Sequence, residues 1–269
     1  MYLLTDDLPE VPDERWWGDH LRETRWALEA SRLLADPVFH GRGVPRGDGR
    51  PIILIPGFGG GDYTLLALAV WLRRIGYEPH VAGFVTNTGC SDRGADRVER
   101  RIDQLHRRHG RRVALIGHSR GGHYVRALSY RRPELVSHGI SIGAGLRQML
   151  ATSYPTQRAA AAARGVTLRS GRARSPLCLT ESCDCRFGSD FAASFPADRV
   201  RLTSIYSKGD GVVRWQAAVV PYATCVEVTG SHVGLIFNRK TYRAIAIALA
   251  EPELPLEPEL EDPDGDRTR

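Results

Sequence analysis

Ser119 stands between two glycines in the stretch Gly117-His118-Ser119-Arg120-Gly121. An apolar run, "RRVALIG", leads into it, and a helix-like run, "GGHYVRALSYRRPE", leads out. A serine on so tight a strand-to-helix turn is held at strained backbone angles with its hydroxyl exposed, the arrangement called a nucleophile elbow. Side chains two residues to either side would collide, and Gly117 and Gly121 remove them. Serine attacks a carbonyl only with a base to take its proton. His118 and His123 are close in sequence but badly placed. His118 leaves the turn in another direction, and His123 is carried back along the helix. Both are expected to pack or hydrogen-bond.

Behind such an elbow the acid and then the histidine follow the serine along the chain. Asp210 comes just after the strand-like "RVRLTSIYS", in "YSKGDGVV". His232 lies in the Gly/Ser turn "VTGSHVGL" and is the only histidine beyond Asp210. The expected roles are Ser119 as nucleophile, His232 as base and then acid, and Asp210 as the group that orients the imidazole. Two backbone N–H groups should hold the developing oxyanion. One belongs to Arg120, the residue after the nucleophile. The other belongs to the glycine-dense loop "PGFGGGD", with Phe58 the first choice and Gly59 the second. That loop lacks the Gly-Lys-Ser/Thr ending of a phosphate-binding loop. This chemistry calls for no metal and no organic cofactor.

The elements that must position these residues alternate. "PIILIPGF" reads as a fully buried strand, and "YTLLALAVWLRRIG" as a helix closed by Gly76. Strand "YEPHVAGF", the charged helix "RGADRVERRIDQLHRRHG", the strand before Ser119, its helix and the strand "VSHGISIGA" continue the order. Such alternation predicts a mostly parallel sheet with helices on both faces. It pauses over about residues 146–198, an insertion expected to act as a lid, with Leu146, Met149, Leu150 and Tyr154 lining a pocket or merely packing on the body. Two further strands and a closing helix follow. Residues 1–47 are expected to carry a helix over 13–36 with Trp17, Leu21, Leu28, Leu33 and Leu34 on its apolar face, packed on the main domain of residues 48–250. The proline-rich tail 251–269 holds eight acids and two arginines and is expected to be disordered.

"PIILIPGF", "GHSRGG", "YSKGDGVV" and "GSHVGL", in that order, resemble the α/β-hydrolase superfamily, and within it bacterial lipase- and esterase-like members. The resemblance spans about residues 48–250 and implies a serine hydrolase acting on carboxylic esters with an apolar acyl group. Two departures stand out. Arg120 replaces the small or apolar residue such elbows often carry, and Pro-Gly-Phe replaces a His-Gly oxyanion loop. Acyl transfer or thioester hydrolysis would use the same triad, and a catalytically silent binding protein would keep the fold alone.

Composition narrows the alternatives. With 42% hydrophobic residues and 25% charged, the 269-residue chain can bury a normal core. Its net charge of +6 comes from arginines scattered over helix ends, and no nucleic-acid motif accompanies them. No apolar run approaches the ~20 residues of a membrane span. The first residues lack the basic and apolar regions of a signal peptide, which points to the cytoplasm. Cys90, Cys178, Cys183, Cys185 and Cys225 admit three readings. Disulfides stapling the insertion to the body come first, free thiols second, and a zinc site third, because no Cys-x2-Cys pair is present.

Overall fold

A computed structural model of the protein describes residues 8–256. Six parallel strands form one sheet in the order β2-β1-β3-β4-β5-β6. They are β1 (Pro51–Ile55), β2 (Glu78–Val81), β3 (Val113–His118), β4 (Val136–Ile142), β5 (Arg201–Tyr206) and β6 (Thr224–Glu227). Helices α2 (Leu66–Ile75), α3 (Ser91–His109), α4 (Arg120–Arg131) and α7 (Arg239–Ala250) make the connections and close the chain. This is the mostly parallel, helix-flanked sheet that the sequence pattern predicts.

The pleat explains why the central strands read as unbroken apolar runs. Along β1, Ile52 and Leu54 enter the core shared with α2 and α7, while Ile53 and Ile55 enter the core shared with α3 and α4. Ala114 and Ile116 of β3 split from Val113 and Leu115 in the same way. Each fully buried isoleucine or leucine contributes about 1.5–3 kcal/mol, so a polar residue at any of these positions would break the sheet locally. The α2 side is sealed by Trp71, whose Nε1–H donates to the Val38 carbonyl at 2.8 Å. Gly76, at φ +100°, ends α2 in the left-handed conformation that glycine tolerates best.

The chain first moves outward from β1 to β2, then crosses back to lay β3 on the other side of β1. The loops leaving the carboxyl ends of β1 and β3 therefore diverge, and such a switch point opens a crevice for ligand. The glycine loop after β1 and Ser119 after β3 occupy it.

The N-terminal segment departs from expectation. Within the expected span 13–36, helix forms only over a 3-10 turn, Arg22–Arg25, and α1, Trp26–Ala35. Gly18 stops it: its φ is +75°, and a Cβ there would meet the Gly211 carbonyl oxygen at 2.1 Å. Of the five residues expected on the apolar face, only Leu33 is buried, and Trp17, Leu21, Leu28 and Leu34 are exposed. Polar contacts, described below, hold this segment instead.

The insertion between β4 and β5 carries α5 (Tyr154–Arg169) and α6 (Arg186–Ala192). The disulfide expectation is corrected, since all five cysteines are free thiols. Cys183 and Cys185 have Sγ atoms 2.8 Å apart, well beyond the ~2.05 Å of a disulfide bond. Ion pairs fasten the insertion to the body. Arg174 reaches Asp92 at 2.6 Å and Asp96 at 2.5 Å on α3. Buried Arg131 of α4 binds Asp190 of α6 at 2.5 Å and Glu99 of α3 at 2.9 Å. The start of the acidic tail is also anchored: Glu253 lies 3.5 Å from Arg50, and Arg112 donates to the Leu254 carbonyl. Residues 257–269 of the tail lie outside the described residues.

Candidate active site

Ser119 is the N-cap of α4 at φ 52°, ψ −124°. A non-glycine residue at positive φ is uncommon, and among the described residues only Leu179 shares the feature. The neighbouring glycines explain how the turn is tolerated. A Cβ on Gly117 would meet the Gly121 carbonyl carbon at 2.2 Å, and one on Gly121 would meet the Ile55 oxygen at 2.1 Å. The Ser119 N–H donates to Ile142 O at 2.7 Å, pinning the elbow to the end of β4.

Asp210 and His232 are brought together from the loops after β5 and β6. His232 Nδ1 lies 2.7 Å from Asp210 Oδ2. The other carboxylate oxygen, Oδ1, accepts from the N–H groups of Val212 and Val213, both at 2.8 Å. With Nδ1–H engaged by the carboxylate, Nε2 of His232 is left to accept a proton. Burial pushes the His232 pKa down, but the charge and hydrogen bond of Asp210, with the charge of Glu23, outweigh it and hold the pKa above its ordinary value. Gly143, at φ +58°, leaves room for the pair: a Cβ there would lie 3.3 Å from Asp210 Oδ2 and 3.4 Å from His232 Nδ1.

His118 and His123 are both buried with pKa values lowered to about 3, so both stay neutral. Burial is the main cause for each. His232 adds to it at His118, and Arg120 and Arg126 add to it at His123. His118 is more than packing. Its Nε2–H donates to the His232 backbone carbonyl at 3.1 Å, and the two rings lie 4.8 Å apart. His123 packs edge-on against Phe191.

Phe58 borders the same small cavity as Ser119, and its N–H makes no hydrogen bond among the described residues. Arg120 opens α4, where an N–H has no partner within the helix. Its side chain does not offer a charge to a ligand. The guanidinium donates to Asn87 O and Gly89 O, both at 2.7 Å, and to Ser91 Oγ at 2.9 Å, and so buttresses the loop before α3.

Sequence reasoning missed Glu23 and Glu29, which grip the loops of Asp210 and His232 from the N-terminal segment. Glu23 accepts from the N–H groups of His232 at 2.9 Å, Val233 at 2.8 Å and Gly211 at 3.3 Å. Glu29 accepts from the Ser231 N–H at 3.1 Å and the Ser231 hydroxyl at 2.9 Å. Acids on a short, mixed-charge helix carry no sequence signal that separates them from a solvated face.

The cavity at Ser119 measures about 60 Å³ and is walled by Phe58, Met149, Leu150, Leu179, Val213 and others. Two of the four expected insertion residues, Met149 and Leu150, line it. Leu146 is instead buried in the α3/α4 core, and Tyr154 packs on Trp17 at 5.1 Å. A larger cavity, about 780 Å³, lies between α1 and β6 and touches none of Ser119, Asp210 or His232.

No protein-family model matches the sequence, and no curated protein does. Solved structures do. A metagenomic carboxyl esterase superposes with a TM-score of 0.55 at 15% identity, over 84% of this chain and 90% of its own. The mature lipase of Bacillus licheniformis gives 0.54 at 15% identity, over 77% and 94%. A thioesterase domain from the curacin biosynthetic pathway gives 0.52 at 15% identity, over 74% and 92%. The protein has the α/β-hydrolase fold. Among the described residues no helix is long and apolar enough to cross a membrane.

Proposed function

We propose that the protein is a serine hydrolase of carboxylic esters, with Ser119 as nucleophile, His232 as acid–base and Asp210 as its orienting partner. What supports the reading is a serine at strained backbone angles after β3 together with a buried Asp210–His232 pair, whose imidazole lies 4.8 Å from the ring of His118, the residue before that serine. In the reaction, Ser119 Oγ attacks the ester carbonyl carbon as its proton passes to His232 Nε2. The oxyanion accepts hydrogen bonds from the Phe58 and Arg120 N–H groups. His232 returns the proton to the leaving alkoxide, an acyl-enzyme forms, and water repeats the sequence to release the acid.

The apolar walls favour an apolar acyl group. A volume of about 60 Å³ is that of roughly two water molecules. A short acyl chain fits it, and a longer one requires the Met149–Leu150 stretch to move, which is the sense in which the insertion acts as a lid. Thioester hydrolysis or acyl transfer would use the same groups, and one of the neighbours in fold is a thioesterase domain.

The test is a fluorophosphonate probe followed by a chain-length series of p-nitrophenyl esters and acyl thioesters. Labelling should occur in the native protein and vanish in Ser119→Ala and His232→Ala. Folded native protein that takes no label has a silent triad, and the hydrolase reading fails. Labelled protein with rates on thioesters far above those on oxygen esters transfers the reading to thioesterase.

A further inference from the structure

Glu78, His80 and His109 belong to none of the contacts above. Glu78 and His80 are two residues apart on the edge strand β2, so their side chains leave the same face. His109 is the last residue of α3, which returns beside that strand. One donor atom from each residue falls within 4.8 Å of the other two. Glu78 Oε1 lies 3.2 Å from His80 Nε2 and 3.5 Å from His109 Nε2.

Two geometries can be compared with these spacings. Charge-assisted hydrogen bonds run at about 2.7–2.9 Å and are aligned. Donors held tetrahedrally around one zinc ion, each at about 2.1 Å, stand about 3.4 Å from one another. The two spacings from Glu78 match the second geometry, and the two histidine donors lie within 4.8 Å of each other. Neither imidazole Nε2 makes a hydrogen bond among the described residues, although both atoms are shielded from solvent. Buried polar atoms are nearly always paired, so two such nitrogens beside one carboxylate call for a partner.

We infer that Glu78, His80 and His109 form a binding site for one divalent transition-metal ion, with zinc the best fit to two imidazoles and a carboxylate. Water takes the fourth position, reached past the partly exposed Glu78 carboxylate. The site ties the edge strand to the end of α3 at the amino end of the sheet, whereas Ser119 stands at the carboxyl end. Its role is therefore to stabilise the edge of the sheet, and it stands independently of any hydrolase activity.

The experiment uses the full chain, stripped with chelator and kept reduced, titrated calorimetrically with Zn²⁺ and followed optically with Co²⁺. The cysteines are the competing ligands, and cobalt separates the two sites because only thiolates add a near-ultraviolet charge-transfer band. One ion per chain should bind without that band and raise the thermal midpoint. His80→Gln with His109→Gln should weaken binding at least 100-fold, and the exposed Glu78→Gln about tenfold. Circular dichroism confirms that each variant is folded, and Glu78→Gln carries the test if the double variant is not. Three results would overturn the inference: no zinc bound by folded wild type, unchanged affinity in the variants, or binding that shows the thiolate band and disappears on alkylation of the cysteines.

Discussion

Replacing Glu23 tests whether the N-terminal segment positions the catalytic base. Its carboxylate accepts three backbone N–H bonds from the two loops that carry Asp210 and His232. A hydrogen bond to a charged group contributes about 1.5–3 kcal/mol, and water recovers part of this at a half-buried site. Glu23→Ala should therefore cost about 1.5–3 kcal/mol of transition-state stabilisation, a fall in kcat of roughly 10- to 100-fold. KM should change little, because Glu23 does not border the cavity at Ser119. Glu23→Gln keeps acceptor oxygen and loses the charge, so it isolates the electrostatic part. His232 must be neutral to accept the serine proton, and activity rises as pH climbs through its pKa. The Glu23 charge raises that pKa. Removing the charge must lower it and move the acid limb of the profile toward lower pH. The assay is the pH dependence of fluorophosphonate labelling and of p-nitrophenyl ester hydrolysis, with thermal unfolding checked in parallel. Unchanged kcat in Glu23→Ala, or an acid limb that stays in place in Glu23→Gln, would refute the reasoning.

Gly143→Ala puts a methyl group at positive φ, 2.8 Å from Leu235 Cδ1 and beside the Asp210–His232 pair. It should cost about 1–3 kcal/mol of stability and lower kcat, read by chemical denaturation and ester hydrolysis. Arg131→Met leaves Asp190 and Glu99 without their buried partner, and a destabilisation of about 3–5 kcal/mol should appear in urea unfolding. Denatured, unreduced protein prepared anaerobically should react with five equivalents of a thiol reagent, since all five cysteines are free. A count of three or one would restore a disulfide staple.

The legible parts of the molecule are those governed by local sterics and chain order. Gly117 and Gly121 announce the elbow because the collisions they avoid lie within a few residues or on the adjacent strand. The β-branched run of β1 announces a buried strand because both its faces meet core. Asp210 and His232 can be singled out because Asp210 directly follows a strand-like run and His232 is the only histidine beyond it. Other features depend on contacts that no pattern encodes. Tyr154 and Leu150 look equally able to line a pocket, and only the path of the chain after β4 sends one to Trp17 and the other to the cavity. The three cysteines of the insertion suggest a covalent staple, whereas the fastening is ionic. Arg174 and Arg131 are two among the 37 lysines and arginines, and nothing local marks either as paired, or Arg131 as buried.

The same reasoning changes the meaning of Arg120 and of the N-terminal segment. An arginine after the nucleophile suggests recognition of an anionic substrate. Its donors are instead spent on Asn87, Gly89 and Ser91, so the cavity beside it stays apolar despite the charge. The N-terminal segment looks like an apolar helix to be buried, yet it holds on through Glu23 and Glu29 while Trp17 and Leu21 remain exposed. Each carboxylate replaces a water shell on the loops at Gly211 and Ser231–Val233, and this fixes the histidine more firmly than loop sequence alone can. A helix bound largely by a few directional bonds, with Leu33 its one buried apolar residue, can be detached without unfolding the sheet. The loops of Asp210 and His232 should therefore lose order first as the protein is heated, ahead of β1, β3 and β4.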